Sequence, residues 1–276
     1  MKLKNPSQLF EAGPWQQFLV YGVSGCGKST WAAMSPRPVI ISTEPKGRSA
    51  IANGVNSSGN RESALMVEPE NWQELKDTIR TLAKGVVIEH EGQPAMKIVD
   101  DGDEHIIQTV VLDSLTQLSK MAKEHYTKDK QKGTTKPEWG KVIEAIAGLL
   151  DYIGKLPCNF ILTAHTQNIQ DGDDLKKVPA VFGKNLPDQI GSFFSATAYM
   201  AVGKGKRVLY WTRESTASKP PVSAAGFPSH TICGPVGSGI GTPGAIALEL
   251  AKQDGIARPH NENDIAISDE QKSEEN

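Results

Sequence analysis

Residues 17–29 read QFLVYGVSGCGKS, and this stretch decides the fold. It begins with an apolar segment, Gln17 to Tyr21, of the kind that forms a buried strand. The residues from Gly22 to Ser29 then match the pattern G-x-x-x-x-G-K-[ST] of the phosphate-binding P-loop. We expect a short helix to follow and to end near Ser35-Pro36. The pattern and its place between a strand and a helix predict a nucleoside triphosphate site.

The residue types in this loop suit a phosphate chain. Glycines let successive backbone N–H groups turn toward one anion, and the N-terminus of the next helix adds partial positive charge. We expect Lys28 to reach the β- and γ-phosphates and Ser29 to ligate Mg²⁺, so the cofactors are ATP, or a close relative of it, and Mg²⁺. The predicted nucleotide contacts are Gly22, Ser24, Gly25, Cys26, Gly27, Lys28, Ser29 and Thr30.

Two acidic residues end other apolar strands. Val110 to Asp113 reads VVLD, which is typical of a strand whose aspartate holds Mg²⁺, although Asp113-Ser114 also has the form of a helix N-cap. Glu44 ends VIISTE, where a carboxylate reaches the ligand crevice of a parallel sheet. Glu44 is therefore the candidate group for activating the attacking water, and the alternative is a solvated side chain.

A third apolar strand, Phe160 to His165, ends with the polar residues Thr163, His165, Thr166 and Gln167. A polar group at this strand end could sense the γ-phosphate and pass its presence to the next loop. A purely structural histidine is the alternative for His165.

The order of segments indicates the architecture. Strands alternate with helices, which predicts an α/β fold with a mostly parallel sheet flanked by helices. Residues 196–202 and 207–212 add a terminal antiparallel hairpin, and residues 86–108 indicate a hairpin around Gly92 and Asp101-Gly102. Residues 45–63 and 168–192 read as loops. The helical segments are 72–82, 114–126 and 138–155.

Composition sets further limits. The net charge of −2 excludes a polycation, so any contact with nucleic acid must be local. The three scattered cysteines suit a reducing cytoplasm, and no apolar run approaches the roughly 20 residues that span a bilayer. We therefore expect a cytoplasmic protein with no membrane partner.

Four segments divide the chain. We expect a leader over residues 1–14, a nucleotide-binding core over 15–220, a Gly/Pro-rich extension over 221–260 and a disordered acidic tail over 261–276. One possible helix, Pro243 to Lys252, lies in the extension.

These motifs, in this order, resemble the RecA-like branch of P-loop ATPases. STEP at Ser42 to Pro45, LDS at Leu112 to Ser114 and LTAH at Leu162 to His165 are most similar to small phage-encoded ATPases of the Sak type, which are linked to single-strand annealing and recombination. The resemblance covers roughly residues 15–220. The catalytic residues that these motifs and the resemblance indicate are Lys28, Glu44, Asp113 and His165.

The resemblance also implies partners. It implies single-stranded DNA, a homo-oligomer in the form of a ring or filament, and a single-strand-binding or recombination protein in the cytoplasm of an infected bacterium. In this family a neighbouring subunit supplies a cation to the γ-phosphate. Arg213 and Lys219 follow the last hairpin, where the family places such residues, and Lys206 and Arg207 are the alternatives.

A lysine-rich segment is the candidate DNA surface. Residues 120–136 hold six lysines and two acidic residues, and by resemblance they fall where RecA-like proteins carry their first DNA-binding loop. The alternative is a solvated face. Tyr126 and Trp139 flank the segment and could stack on bases, and residues 169–187 are the candidate second loop. The candidate DNA contacts are Lys123, Lys128, Lys130, Lys132 and Lys136.

Two other functions remain open at this point. One is a motor or loader, such as a helicase-type or packaging ATPase. The other is a nucleotide-switched binding protein with little turnover.

Overall fold

The computed structural model describes residues 15–44, 46–128, 133–171, 174–182, 186, 190–203, 206–211, 215–216, 230–233, 242–243 and 246. The strands are β1 (Gln17–Gly22), β2 (Pro38–Ser42), β3 (Leu65–Val67), β4 (Val86–His90), β5 (Gln93–Asp100), β6 (Asp103–Ile107), β7 (Thr109–Asp113), β8 (Asn159–Asp171), β9 (Asp174–Pro179), β10 (Ala196–Gly203), β11 (Lys206–Trp211), β12 (Ser215–Thr216) and β13 (His230–Cys233). The helices are α1 (Lys28–Ala33), α2 (Arg48–Ser57), α3 (Trp72–Leu82), α4 (Leu115–Tyr126) and α5 (Lys136–Ile153).

The main sheet places β1 near its centre. Along its path the strand order is β13-β11-β10-β1-β8-β7-β2-β3. β1 pairs in parallel with β8 and β10, and β8, β7, β2 and β3 continue the parallel array on one side. β11 and β13 pair antiparallel at the other side. The predicted mostly parallel sheet with a terminal antiparallel hairpin is confirmed.

Alternate side chains of the strands enter two apolar cores, one on each face of the sheet. Leu19 and Tyr21 belong to the core that is closed by α3, α4 and α5. Phe18 and Val20 belong to the other core, which contains Trp31 of α1. Helices therefore cover both faces, as predicted. Five apolar positions on one face of α5 are all buried: Val142, Ile146, Leu149, Leu150 and Ile153.

Residues 86–107 form a separate antiparallel sheet of three strands, β4-β5-β6. Its turns lie at Glu91-Gly92, with φ of 54° and 71°, and at Asp101-Gly102, with φ of 48° and 92°. Two-residue turns with positive φ match the twist of the strands that they join. Both predicted turn positions are confirmed, and the segment contains three strands rather than one hairpin.

One segment that was predicted to be a loop is helical. Residues 45–63 contain α2 and a short 3-10 helix, Asn60–Glu62. A Cβ added at Gly54 would lie 2.8 Å from the Cβ of Ala33, so the glycine lets α2 pack closely against α1. The prediction was wrong because Gly, Ser and Asn are poor helix formers, and tertiary packing overrides that preference here.

The prediction that residues 168–192 are mostly loop was also wrong. β8 continues to Asp171, and β9 returns antiparallel beside it. Ile190–Phe193 adds a 3-10 helix. This hairpin was missed because its backbone pairing needs no apolar alternation, and most of its residues are polar.

The extension contributes one strand that the sequence did not indicate. β13 pairs with β11 at the edge of the main sheet. Only residues 243 and 246 of the possible helix Pro243 to Lys252 belong to the described chain, and the leader and the acidic tail lie outside it.

Candidate functional site

The P-loop lies at the carboxyl edge of the main sheet, between β1 and α1. Gly25 and Gly27 have φ of 80° and 100°, values that favour glycine. A Cβ at Gly22 would lie 3.0 Å from the Sγ of Cys26 and would overlap the backbone oxygen of Met200. The loop therefore depends on glycine for both its turns and its close contact with β10.

Lys28 is buried within this loop, with 6% of its surface exposed. Its Nζ donates hydrogen bonds to the backbone oxygens of Gly22, at 3.1 Å, and Val23, at 2.9 Å. The ammonium is thus held by its own loop, where it offers positive charge to a phosphate.

Asp113 ends β7 and is 2% exposed. Its Oδ1 accepts a hydrogen bond from Thr163 of β8, while its Oδ2 is buried and has no hydrogen-bond partner among the described residues. Burial raises the pKa of this carboxyl, and the hydroxyls of Thr163 and Ser29 oppose that rise. A buried, unpaired carboxylate oxygen beside Ser29 fits a hydrated divalent cation, because such a cation would supply the missing positive charge.

Glu44 follows β2, and the pairing of Ser42 with Asp113 brings it beside the end of β7. Its Oε1 accepts a hydrogen bond from Ser114 Oγ at 2.5 Å and lies 3.0 Å from His165 Nε2. The hydrogen bond with His165 lowers the pKa of Glu44 to about 2; burial opposes this shift, and Ser114 and Lys28 contribute to it. Glu44 is therefore an ionised part of the site at neutral pH rather than a solvated strand end.

His165 connects Glu44 to the hairpin of β8 and β9. Its backbone N–H donates to Thr116 Oγ1 at 3.1 Å, and its backbone oxygen accepts from the N–H of Ala180 at 2.7 Å. His165 also pairs with Gly22 across β1 and β8. The structure therefore brings the predicted catalytic residues Lys28, Glu44, Asp113 and His165 together.

The sequence places Thr163 near the end of one strand and Ser114 beside Asp113, but it did not indicate that their hydroxyls donate to Asp113 and Glu44. Thr163 is polar and fully buried in an apolar strand, and that mismatch was the available signal. Ser114 occupies the N-cap position of α4, but its side chain makes no capping hydrogen bond and donates to Glu44 instead. The Asp113-Ser114 pair is thus more than a helix cap.

We expect Ser114→Ala to lower the free energy of unfolding by about 1 kcal/mol at pH 7, because Glu44 loses a charge-assisted hydrogen bond. The pKa of Glu44 is depressed in the folded state, so its stabilising effect is present above 4.5, its ordinary value, and is lost as the pH falls toward about 2. The difference in the free energy of unfolding between Ser114→Ala and the wild type should shrink over the same pH range. Denaturant titrations at pH 7 and pH 3 measure it.

Ser119→Ala is the matched control. Ser119 is a buried serine of the same helix, and its hydroxyl donates to the backbone oxygen of Leu115, which does not titrate. Its deficit should be the same at both pH values. An equally constant deficit for Ser114→Ala would contradict the role of Ser114 on Glu44.

Of the candidate DNA residues, Lys123 lies over two aromatic rings. The Nζ of Lys123 lies 5.5 Å from the ring centroid of Trp139 and 5.3 Å from that of Phe182. Trp139 and Tyr126 are half-buried against the core. Lys128 and Lys136 are exposed. Lys130, Lys132, Arg213 and Lys219 lie outside the described residues.

These features define the class of the protein. An α/β fold with a P-loop between β1 and α1, and with Asp113 at the end of a parallel strand that one strand separates from β1, is a P-loop nucleoside triphosphatase fold. The family model described as "AAA domain" matches residues 15–219, so the chain belongs to that family. Membership implies nucleotide binding, typically with Mg²⁺. The predicted RecA-like P-loop fold class is confirmed.

A solved structure is also similar to this chain, at low sequence identity. The chain is similar to the solved structure of a KaiC-like protein from the hyperthermophilic archaeon Pyrococcus horikoshii OT3, with 13% sequence identity and a TM-score of 0.41. The match covers 73% of this chain and 81% of that chain. A search of curated proteins found no match.

The described residues contain neither a side-chain cluster that could hold a metal ion by itself nor a helix that could span a membrane. No group of three or more His, Cys, Asp or Glu side chains there could hold a metal ion by itself. No helix in the same part of the chain is long and apolar enough to cross a membrane.

Proposed function

We propose that the protein hydrolyses ATP with Mg²⁺ and acts on single-stranded DNA in recombination or annealing. The observation that carries the hydrolysis proposal is the cluster of Glu44, Ser114 and His165 beside the buried Asp113 and the P-loop. A site that only bound nucleotide would need the P-loop, but it would not need the ionised carboxylate of Glu44 to be held at the end of β2.

In this proposal Lys28 binds the β- and γ-phosphates, and Ser29 and Asp113 hold Mg²⁺. The metal, when bound, neutralises the charge of the phosphates. Glu44 Oε1 is occupied by Ser114 and His165, and Oε2 receives no hydrogen bond within the described chain. Oε2 is thus available to accept a hydrogen bond from the attacking water, orient it and take its proton. As the water oxygen bonds to the γ-phosphorus, the bond from that phosphorus to the β–γ bridging oxygen breaks and ADP leaves.

The DNA part of the proposal has separate support. The resemblance to Sak-type phage ATPases motivates it. The same resemblance leads us to propose a homo-oligomeric ring or filament in an infected bacterium, and a single-strand-binding or recombination protein as partner. The exposed Lys128 and Lys136 flank the segment 129–132, which adds Lys130 and Lys132. Such a cluster attracts phosphates without reading sequence.

One assay tests both parts. ATP turnover is measured with Mg²⁺, with and without single-stranded DNA, and DNA binding is measured over a range of salt. Turnover that DNA stimulates supports the proposal. Nucleotide binding with negligible turnover in every condition contradicts hydrolysis and favours a nucleotide switch, and translocation or unwinding favours a motor.

Neutralising Lys128, Lys130 and Lys132 together should weaken binding of single-stranded DNA at every sequence tested. Each lost phosphate contact should make the log–log salt slope shallower by about 0.7, because fewer condensed counterions are released. ATP binding without DNA should be retained, since these lysines do not form the P-loop. Fluorescence anisotropy with labelled oligonucleotides measures the slope.

A second triple variant provides the charge control for this experiment. Neutralising Lys76, Lys84 and Lys155 changes the net charge equally on other parts of the surface. Its salt slope should stay at the wild-type value. Equal slopes for the two triple variants would show that residues 128–132 are a solvated face, and residues 169–187 would then be the next DNA candidates.

A further inference from the structure

The P-loop has two flanks, and the catalytic cluster occupies only one of them. β1 lies between β8 and β10. Asp113 and Glu44 follow strands on the β8 side, whereas β10 and β11 form the other side. The γ-phosphate must lie toward Asp113 and Glu44, so the α-phosphate and the nucleoside lie toward β10 and β11.

Arg207 is the basic residue that β11 places on this second flank. It pairs with Val202 of β10, two residues beyond Met200, which pairs with Gly22. A Cβ added at Gly27 would overlap the Nε of Arg207 and would lie 2.9 Å from its Cδ and 3.1 Å from its Cζ. The guanidinium group therefore lies against the P-loop itself, in the space where any other residue at position 27 would have a side chain.

Several positive groups surround this position of Arg207, while the carboxylates of Glu44 and Asp113 interact with Lys28 on the other flank. The N-terminus of α1 carries partial positive charge, Lys28 begins the helix, and its first turn contains no acidic residue. In the described part of the chain, no carboxylate forms an ion pair with Arg207. Three positive groups thus meet at one loop.

Cys233, a titratable neighbour in the described part of the chain, does not balance the charge of Arg207. The thiol of Cys233 interacts with Arg207, but burial raises the pKa of Cys233 to about 12. That thiol is neutral at physiological pH. A bound polyphosphate is the anion that would offset all three positive groups at once.

We propose that Arg207 binds the phosphate chain of the nucleotide within its own subunit, at the α- and β-phosphates. This inference rests on the nucleotide binding proposed above and adds a residue that lies outside the P-loop motif. It also removes Arg207 from the candidates for a cation that reaches a neighbour's γ-phosphate. Nucleoside diphosphates and triphosphates share the α- and β-phosphates, so Arg207 contributes to the affinity for both.

The test compares ADP and ATP binding to wild type, Arg207→Gln and Arg207→Lys. We expect Arg207→Gln to weaken both nucleotides by the same factor, roughly tenfold, through loss of charge-assisted hydrogen bonds. Arg207→Lys should recover part of the affinity, because it restores the charge without the planar fork of the guanidinium. Isothermal titration calorimetry with each nucleotide and Mg²⁺ measures both constants.

Two controls separate this role from a structural one. Arg80→Gln removes an exposed arginine of α3 that pairs with Asp77, and it should bind both nucleotides as the wild type does. The melting temperature of Arg207→Gln without nucleotide should be equal to or above that of the wild type, because a repelled charge is removed. A residue needed only for folding would lower it.

The outcomes are distinct. Wild-type affinity of Arg207→Gln for ADP and ATP would overturn the inference. A loss confined to ATP would overturn it in favour of a γ-phosphate contact. A lowered melting temperature without nucleotide, with no recovery of affinity in Arg207→Lys, would overturn it in favour of a packing role. In each of these cases the proposed nucleotide site stands if the wild type binds nucleotide and Lys28→Ala does not. If the wild type binds neither ADP nor ATP, both the proposed nucleotide site and the inference about Arg207 are overturned.

Discussion

Glu44→Gln should bind ATP about as tightly as the wild type and should lose nearly all turnover. The amide oxygen can still accept hydrogen bonds from Ser114 and His165, so the local geometry is retained. An amide cannot accept the proton of the attacking water, and general-base assistance contributes about 10²–10⁴-fold. We therefore expect turnover to fall by about that factor while the dissociation constant for ATP stays within about threefold.

Separate measurements of binding and turnover check this result. Glu104→Gln is the matched control, because Glu104 is an exposed carboxylate that pairs with Lys97 on the three-stranded sheet. It should hydrolyse ATP at the wild-type rate. Unchanged turnover in Glu44→Gln would mean that the water is activated elsewhere and that Glu44 only supports the strand end.

Lys28→Ala should abolish tight nucleotide binding, with a loss of at least about 100-fold in affinity. Within the described residues, the hydrogen bonds of its Nζ go to loop carbonyls and the Cys26 thiol, so its removal takes away phosphate-directed charge without opening the apolar core. A nucleotide at about 100 times its dissociation constant stabilises a protein by about 2.7 kcal/mol. The wild type should therefore melt at a higher temperature with ATP and Mg²⁺, and the variant should not.

Lys141→Ala, which changes an exposed lysine of α5, should keep the full nucleotide-induced rise in melting temperature. If Lys28→Ala kept that rise and its ATP turnover, the assignment of the P-loop as the nucleotide site would be wrong.

The centre of the site could be predicted from sequence because its motifs are local. The P-loop needs only the spacing from Gly22 to Ser29, and a carboxylate at the end of an apolar strand indicates Glu44 and Asp113. Parallel strands then bring such ends to one edge of the sheet. The sequence could not show which partners these carboxylates have, because that depends on strand register.

Arg207 shows why the rest was harder. The sequence predicts a hairpin turn beside it, which suggested a residue that reaches another subunit. Its position against Gly27 arises from the pairing of β11 with β10 and of β10 with β1, a set of contacts between residues far apart in the chain. Contacts between residues that are distant in sequence also explain why α2 was predicted to be a loop. Gly54 on its own indicates a loop, and it suits a helix here because α1 packs closely against it.

The burial of all three cysteines has a practical consequence for labelling chemistry. Cys26, Cys158 and Cys233 are 1%, 2% and 9% exposed. Burial also raises the pKa of Cys158 and Cys233 to about 12, so those two are thiols rather than reactive thiolates at neutral pH. A single cysteine introduced at an exposed position such as Lys128 would therefore react with maleimide dyes far faster than the native three. The natural chain can thus carry a site-specific fluorophore without prior removal of its own cysteines.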